Sequence, residues 1–260
     1  MPKPISLACV SVMWGLLPLP DEYLEDWLES AAADYDGVST FDRDLLRLLA
    51  KHDLEARLQV ADLQLISVDY LLTRDFDLLA EVCTAMQRLG GKYLVTIGGL
   101  DQRGVDMGKI ADLVNQIGEA TLPYGIRTVY HNHTGQVGEN LEETSAFLKR
   151  TDPDKVAGFL DLGHATKDFA GHPVEERAML FLNEHWPRIE FLEFKDWSDE
   201  YDLCTEVGAG RCNWDAVFAL IKEKNYQGWI AVEQNGPMGG RGRRESAAAS
   251  ARFIRKGLDL

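Results

Sequence analysis

The sequence predicts an α/β fold, a closed (β/α)8 barrel that forms a single domain over residues 1–260. Short β-branched or aliphatic runs alternate with amphipathic stretches of helical period along the chain, which is typical of βα units around a parallel sheet. About eight such runs fit into 260 residues, which matches a barrel in size. The first run is followed by Met13-Trp14-Gly15, and not by the glycine-rich phosphate turn that usually follows the first strand of an open doubly wound sheet.

The predicted strands and two of the helices can be read in chain order. The strands are residues 5–12, 35–40, 55–61, 93–98, 127–133, 156–161, 189–195 and 228–234. Two intervening helices show apolar residues at i, i+3, i+4 and i+7, so each presents one apolar face to the sheet. These residues are Ile110, Leu113, Val114 and Ile117 in the first helix and Trp214, Val217, Phe218 and Ile221 in the second. Asn213 is the predicted cap of the second helix.

The charge of the chain excludes one class of partner. It contains 27 Lys and Arg residues and 42 Asp and Glu residues, a formal net charge of −15. Nucleic acid binding relies on Lys and Arg that neutralise phosphates, so we expect no nucleic acid partner. The sequence has no run of 18 apolar residues and no signal-like segment at its start, which predicts a cytoplasmic protein without a membrane partner.

The carboxyl ends of the last four predicted strands are unusually polar. In a (β/α)8 barrel the reactive groups lie at this end of the strands. The four segments are Tyr130-His131-Asn132-His133, Leu160-Asp161-Leu162-Gly163-His164, Glu193-Phe194-Lys195-Asp196 and Val232-Glu233-Gln234-Asn235. Their acids and imidazoles should converge at the barrel mouth, where uncompensated charges are costly to desolvate. A divalent cation would offset that repulsion.

The acids of these strand ends form a candidate ligand set. Asp161, Glu193 and Glu233, with one carboxylate from the loop after the fifth strand, would give an oxygen-rich site. Such a site favours Mn²⁺ or Mg²⁺, with Co²⁺ and Zn²⁺ as alternatives. The competing interpretation is that each acid pairs with a Lys or Arg or lies in solvent. Three acids at successive strand ends favour the metal site.

Seven segments of the second half of the chain together resemble a known family. They are His131-Asn132-His133-Thr134-Gly135, Glu142-Glu143-Thr144, Thr151-Asp152-Pro153, Asp161-Leu162-Gly163-His164, Phe194-Lys195-Asp196, Gly208-Ala209-Gly210, and Asn225-Tyr226-Gln227-Gly228-Trp229 before Val232-Glu233. In order and spacing they resemble the xylose isomerase-like TIM-barrel family of sugar phosphate isomerases and epimerases. Within it they are most similar to the inosose (2-keto-myo-inositol) dehydratases. The first half matches only as a general βα pattern.

The resemblance implies a set of metal ligands. In this family four side chains from strands five to eight, or from the loops that follow them, hold one divalent metal. Asp161 and Glu233 are implied as ligands, and Glu142 as the contribution of the fifth strand. Glu193 stands where the family commonly has a histidine, which makes the site more anionic or signals a lost metal. For the fifth strand the choice stays open among Glu142, Glu139 and a histidine.

The resemblance also implies proton movement next to a carbonyl through an enediolate, a reaction that a divalent metal assists. Glu142 or Glu233 is the candidate base, and His164 or His133 the candidate acid or hydroxyl ligand. Lys195 could place a fixed positive charge beside the oxyanion. The alternative is a purely structural role, in which His164 only caps its strand and Lys195 only balances the charge of Asp196.

Further candidates concern the substrate. His131 and His133 are predicted to contact it, although His131 could equally be a satisfied core histidine. Trp14 and Trp197 follow strands one and seven and could form an apolar wall against a sugar ring, with ordinary packing as the alternative. The glycine-rich loop over residues 236–242 could bind a phosphate through its amides, with a solvated loop as the alternative.

These residues support several functional hypotheses. The first is a metal-dependent isomerase or epimerase of a sugar or polyol, and the second is a lyase that eliminates water or an alkoxide from a keto-inositol or a 3-keto-glycoside. A third, of another class, is a metal-free sugar-binding or partner subunit, which Glu193 in place of histidine would suit. A DNA repair endonuclease of the same fold is disfavoured by the charge. The expected partner is a small sugar or cyclitol substrate. Barrels of this type often dimerise, so a second copy of the chain is a further expected partner.

Overall fold

The computed structural model describes residues 5–260, and its strands form a closed parallel barrel and a small hairpin. The strands are β1 (Ile5–Val10), β2 (Gly37–Phe41), β3 (Gln64–Leu72), β4 (Tyr93–Gly99), β5 (Arg127–Tyr130), β6 (Val156–Asp161), β7 (Ile189–Phe194), β8 (Asp196–Ser198), β9 (Asp202–Thr205) and β10 (Gly228–Val232). Strands β1 to β7 neighbour one another in chain order, and β10 closes the barrel between β7 and β1. The antiparallel pair of β8 and β9 stands apart. The predicted (β/α)8 barrel is confirmed.

Helices follow the strands around the barrel. They are α1 (Leu24–Asp34), α2 (Asp42–His52), α3 (Leu54–Val60), α4 (Phe76–Leu89), α5 (Met107–Thr121), α6 (Leu141–Arg150), α7 (Leu162–Asp168), α8 (Arg177–His185), α9 (Trp214–Glu223) and α10 (Arg243–Leu258). The predicted apolar faces of α5 and α9 are buried, and Asn213 Oδ1 accepts a hydrogen bond from the Ala216 amide as predicted. Among the helices of residues 5–260, none has the length and apolar character needed to cross a membrane.

The predicted third strand is wrong. Residues 55–60 belong to α3, Ala61 ends that helix, and the strand is β3, nine residues long and a few positions later. In α3 the buried residues Leu54 and Leu58 are four apart, which is the spacing of one helical face, while the residues between them are more exposed. The short apolar run therefore had helical periodicity, and the longer run after it forms the strand.

The interior of the barrel is apolar up to the level of the site. Its core is a cluster of aliphatic and aromatic residues, and Tyr93 packs against this cluster by stacking on Phe191 with ring centroids 4.4 Å apart. Alternate residues of a strand face the same side of a sheet, so the inner face can be followed along each strand. On β6 it runs through Phe159 to Asp161, and on β7 from Phe191 to Glu193. The apolar core is thus the floor beneath a polar barrel mouth.

Candidate metal centre

Three acids end on the inner face of neighbouring strands. Asp161 is the last residue of β6 and pairs in register with Glu193 of β7, while Glu233 directly follows β10. Their exposed fractions are 0%, 2% and 7%. Parallel strands that end at one rim of a barrel bring such side chains into one volume. The structure therefore brings together the three acids that the sequence singled out on these strands.

His131 completes a cluster with two of these acids. Its Nε2 atom lies 3.5 Å from Asp161 Oδ2 and 3.4 Å from Glu193 Oε1. Each of the three residues offers one ligand atom, and these atoms lie within 4.8 Å of one another. We call His131, Asp161 and Glu193 the metal cluster.

The metal cluster fits a divalent cation. Asp161 Oδ2 and Glu193 Oε1 are buried and have no hydrogen-bond partner within the described residues. Buried polar atoms of this kind are costly unless something binds them. One imidazole and two carboxylates suit Mn²⁺, Co²⁺ or Zn²⁺, and suit Mg²⁺ less well because Mg²⁺ prefers oxygen ligands.

The local backbone fixes the Asp161 carboxylate. Oδ1 accepts a hydrogen bond from the His164 amide at 2.9 Å and so caps the start of α7. The Asn132 side chain bonds both the amide and the carbonyl of Asp161, at 2.9 and 3.0 Å. One oxygen is thereby committed to the helix, and the other, Oδ2, is left to the metal cluster.

Lys195 lies between the acids as a buried cation. Its Nζ donates to Glu233 Oε1 and lies 3.8 Å from Asp161 Oδ2. Gly163 allows this position, because a Cβ atom there would lie 2.7 Å from Lys195 Cγ. Burial by itself would raise the pKa of Glu233, but the Lys195 ammonium outweighs it and holds that pKa below the usual value. Glu233 is thus ionised and paired, whereas Glu193 faces the metal cluster.

Two further imidazoles adjoin the metal cluster. The ring of His164 is 2% exposed, and its Nε2 lies 3.9 Å from Asp161 Oδ2. The rings of His133 and His164 have centroids 4.2 Å apart. Burial lowers the pKa of His164 well below its usual value and that of His133 to about 4. Both rings are therefore neutral near pH 7.

Residues 11–257 match the sequence model of one family, described as xylose isomerase-like TIM barrel. The chain belongs to the xylose isomerase-like TIM barrel family. Among curated relatives in this family, the inosose dehydratase of Bacillus anthracis is 30% identical over 142 residues, which cover 48% of this chain and 46% of that protein. The inosose dehydratase of Mesomycoplasma hyopneumoniae strain J is 28% identical over 275 residues, covering 89% of each. The chain thus spans about half the length of the Bacillus relative and most of the Mesomycoplasma one.

Two solved structures share the barrel fold of this chain. The IolI protein with a bound zinc atom superposes with a TM-score of 0.75 at 18% identity, covering 98% of both chains. The D-allulose 3-epimerase of Methylomonas sp. superposes with a TM-score of 0.76 at 15% identity, covering 99% of both. At these identities the likeness establishes the shared barrel.

Glu142, which the family resemblance implied as a ligand or base, lies outside the metal cluster. Asn140 caps α6, so Glu142 falls in the first helical turn with its side chain 72% exposed and 3.4 Å from His172 Nε2. Glu139 is paired with Arg103 instead. In this placement Glu142 does not reach the metal cluster, and its role as ligand or base stays a prediction. Of the three candidates left open for the fifth strand, the histidine His131 is the one that reaches the acids.

The two tryptophans proposed as a sugar wall differ in placement. Trp14 is 1% exposed, and its indole N–H donates to Asp26 at 2.6 Å, so it packs beneath the surface. A substrate contact at Trp14 stays a prediction. Trp197 lies half-buried in β8 with the Arg211 guanidinium 5.9 Å from its ring centre. A substrate contact at Trp197 stays a prediction.

Asp196 and the family segment 208–210 have a structural role. Asp196 Oδ2 accepts hydrogen bonds from the amides of Gly208 and Gly210, both at 3.0 Å, and from the Trp214 indole at 2.7 Å. A Cβ atom at Gly210 would lie 2.2 Å from Asp196 Oδ1, so glycine is needed there. These residues of the xylose isomerase-like pattern hold a loop beside the site.

Asp69 is a site residue that the sequence analysis missed. It lies on β3, is 3% exposed, and faces the same interior as Glu193 and Glu233. Burial first, and then the charges of those two acids, raise its pKa well above the usual value. An Asp in an apolar strand would have signalled it, but the third strand had been placed elsewhere.

Metal binding to this cluster is expected to strengthen as the pH rises towards 8. Burial and the nearby charge of Glu233 raise the pKa of Glu193 to about 8, so its carboxyl holds a proton at pH 7 in the metal-free protein. A metal must displace that proton, so affinity rises by up to about tenfold per pH unit below the pKa. Titration calorimetry with Mn²⁺ at pH 6, 7 and 8, in buffers of different ionisation enthalpy, measures the affinity and the released proton. Equal affinities at pH 6 and 8 would contradict this assignment.

The raised pKa of Glu193 also predicts how the stability of the metal-free protein depends on pH. A carboxyl group whose pKa is higher in the folded than in the unfolded chain contributes stability that is complete below the unfolded value and is lost as the pH rises through the folded value. For Glu193 this window extends from about 4.5 to about 8.

Proposed function

We propose that this protein is a divalent-metal-dependent enzyme that moves a proton next to the carbonyl of a sugar or cyclitol. The observation that supports it is the metal cluster, in which two buried carboxylate oxygens without a hydrogen-bond partner in the described residues and the His131 Nε2 face one another at the mouth of the barrel. A metal bound there polarises carbonyl and hydroxyl oxygens of a substrate. The bound zinc of the IolI protein, a structural neighbour, is in keeping with such a site.

The neighbouring side chains suit the proton chemistry. Glu233 is ionised beside Lys195, so it can accept the carbon-bound proton. The Lys195 ammonium, buried and fixed between Glu233 and Asp161, stabilises negative charge that develops on the substrate oxygen. Because both groups are held by burial and by each other, they need little rearrangement during the reaction.

The first candidate reaction is isomerisation or epimerisation, in which the proton is returned to carbon. The second is elimination of water or an alkoxide from the same enediolate, a candidate that the inosose dehydratase relatives support, since a dehydratase eliminates water. Asp69 favours this second candidate, because elimination needs a proton donor for the leaving oxygen and a carboxyl group of raised pKa can supply it.

A metal-dependent exchange assay tests the proposal. The protein is treated with a chelator and incubated in D₂O with D-allulose or 2-keto-myo-inositol, with and without added Mn²⁺. Deuterium should appear next to the carbonyl only with metal. Ultraviolet absorption of an unsaturated diketone or its enol identifies elimination, and its absence with exchange identifies isomerisation. Absence of exchange and of elimination with both substrates at saturating metal, or equal activity after chelation, would contradict the proposal.

Metal analysis tests the alternative of a sugar-binding subunit. Freshly purified protein should contain close to one equivalent of a divalent metal, since the metal cluster offers three ligand atoms within reach of one ion. Metal-free protein that also fails to take up Mn²⁺ or Zn²⁺ would favour the subunit alternative. The Glu142→Gln variant is a matched control, because that carboxylate is exposed and outside the cluster.

A further inference from the structure

A polar network lies on the side of His164 that faces away from the metal cluster. His164 Nδ1 is 3.0 Å from Asp168 Oδ2, four residues later on α7. The Thr134 hydroxyl donates to the same Asp168 oxygen at 2.6 Å and lies 3.1 Å from His164 Nδ1. The side chains of His164 and Asp168 are 2% and 9% exposed. Asp168 lies outside the segments that carry the family resemblance.

The hydrogen-bond partners decide which ring nitrogen carries the proton. The 3.0 Å contact with Asp168 needs a hydrogen on His164 Nδ1, because an ionised carboxylate can only accept hydrogen bonds, whereas the Thr134 amide at 3.4 Å needs a bare Nδ1. The contact with Asp168 is the shorter one and involves a charged group, which favours the hydrogen on Nδ1. A neutral imidazole has a single N–H, so a hydrogen on Nδ1 excludes one on Nε2. The Nε2 atom of His164 is then left with a lone pair.

That lone pair faces the metal cluster. His164 Nε2 is buried, has no hydrogen-bond partner within the described residues, and lies 3.9 Å from the equally unpartnered Asp161 Oδ2. Two buried polar atoms without a hydrogen-bond partner face each other here, and such a pair is costly unless a cation or a donor group binds between them. A hydroxyl of a bound sugar or cyclitol is a donor of this kind.

We propose that Asp168 is a positioning residue, which together with Thr134 holds the His164 proton on Nδ1 and leaves Nε2 as the acceptor for a substrate hydroxyl. This role rests on the proposed function, because the hydroxyl belongs to its substrate. In the opposite tautomer the Thr134 amide, 3.4 Å away, would donate to Nδ1. The Nε2–H would then point towards Asp161, and no acceptor would be left for the hydroxyl.

The tautomer can be measured without substrate or metal. In metal-free protein labelled with ¹⁵N-histidine, long-range ¹H–¹⁵N spectra distinguish the protonated from the bare ring nitrogen, and the His164→Gln variant identifies the resonances of His164. We expect the proton on Nδ1. A proton on Nε2 in the unsubstituted protein overturns the proposal. Since no turnover is involved, this result is independent of the exchange assay for the proposed function.

Two variants separate positioning from general charge effects. In Asp168→Ala the Thr134 hydroxyl loses its acceptor and turns to Nδ1, so the proton should move to Nε2. Asp202→Ala removes a nearby exposed carboxylate that pairs with Lys167 and not with His164, so the proton should stay on Nδ1. A proton that stays on Nδ1 in Asp168→Ala, or moves in Asp202→Ala, overturns the proposal. If Asp168→Ala does not fold, the spectrum of the unsubstituted protein still shows which ring nitrogen of His164 carries the proton, and a proton on Nε2 overturns the proposal.

Discussion

Replacing Asp161 with asparagine is expected to abolish tight metal binding while the fold is kept. Asn is also a good helix cap, so its Oδ1 can accept the His164 amide as Asp161 does and α7 can still begin there. The amide nitrogen then takes the place of Oδ2, facing His131 Nε2 and Glu193, and an amide N–H₂ group is no metal ligand. The loss of affinity should exceed the roughly 10–100-fold that loss of an outer-shell partner costs.

The matched variant is Glu142→Gln. Glu142 is exposed and contacts His172, so we expect its removal to leave the affinity unchanged. Mn²⁺ titration calorimetry, with thermal unfolding as a check of the fold, compares both variants with the unsubstituted protein. If Asp161→Asn binds Mn²⁺ as tightly as the unsubstituted protein, the metal cluster is misassigned. If Glu142→Gln loses binding, a rearranged α6 supplies the ligand that its family resemblance implied.

The site residues in the second half of the barrel could be predicted because acidic side chains stand at the carboxyl ends of its apolar strands. Asp161 and Glu193 lie at the ends of apolar strands and Glu233 directly follows one, so their convergence follows from barrel topology alone. The ligand from the fifth strand could not be chosen in this way. His131 comes one residue after β5, whereas Glu142 follows a ten-residue loop, and the path of a loop is not fixed by hydrophobic periodicity.

In the first half of the chain, the prediction failed at the level of secondary structure. The error in the third strand arose because a run of seven residues, 55–61, is short enough to suit a strand or a helix, and the tertiary packing of Leu54 and Leu58 selected the helix. With the strand misplaced, Asp69 could not be assigned to the interior. Whether Trp14 packs in the core or faces the site could not be predicted for another reason. A buried indole needs an acceptor for its N–H, and the sequence does not show that Asp26 lies close enough to accept it.

Replacing Lys195 with methionine is expected to destabilise the metal-free protein by about 3–5 kcal/mol at pH 8, the range found when one partner of a buried ion pair is removed. Methionine has a similar length and keeps the apolar contacts of the lysine side chain, so the substitution mainly removes the positive charge. Lys195 is 2% exposed and pairs with Glu233, and without it the Glu233 carboxylate is buried and uncompensated. Burial then raises its pKa, as desolvation already tends to do.

The pH dependence distinguishes this charge effect from a packing defect. A carboxyl group with a pKa raised by folding contributes stability that is lost as the pH rises through its folded pKa, so the variant should lose more stability at pH 8 than at pH 5. Urea unfolding of chelator-treated protein at both values measures the difference. Lys149→Met is the control, because that side chain is 62% exposed and its ion pair with Glu184 lies in solvent, where we expect no measurable change. An equal loss at pH 5 and pH 8 would assign the effect to packing, and a loss below about 1 kcal/mol at pH 8 would mean that Lys195 does not neutralise the barrel mouth.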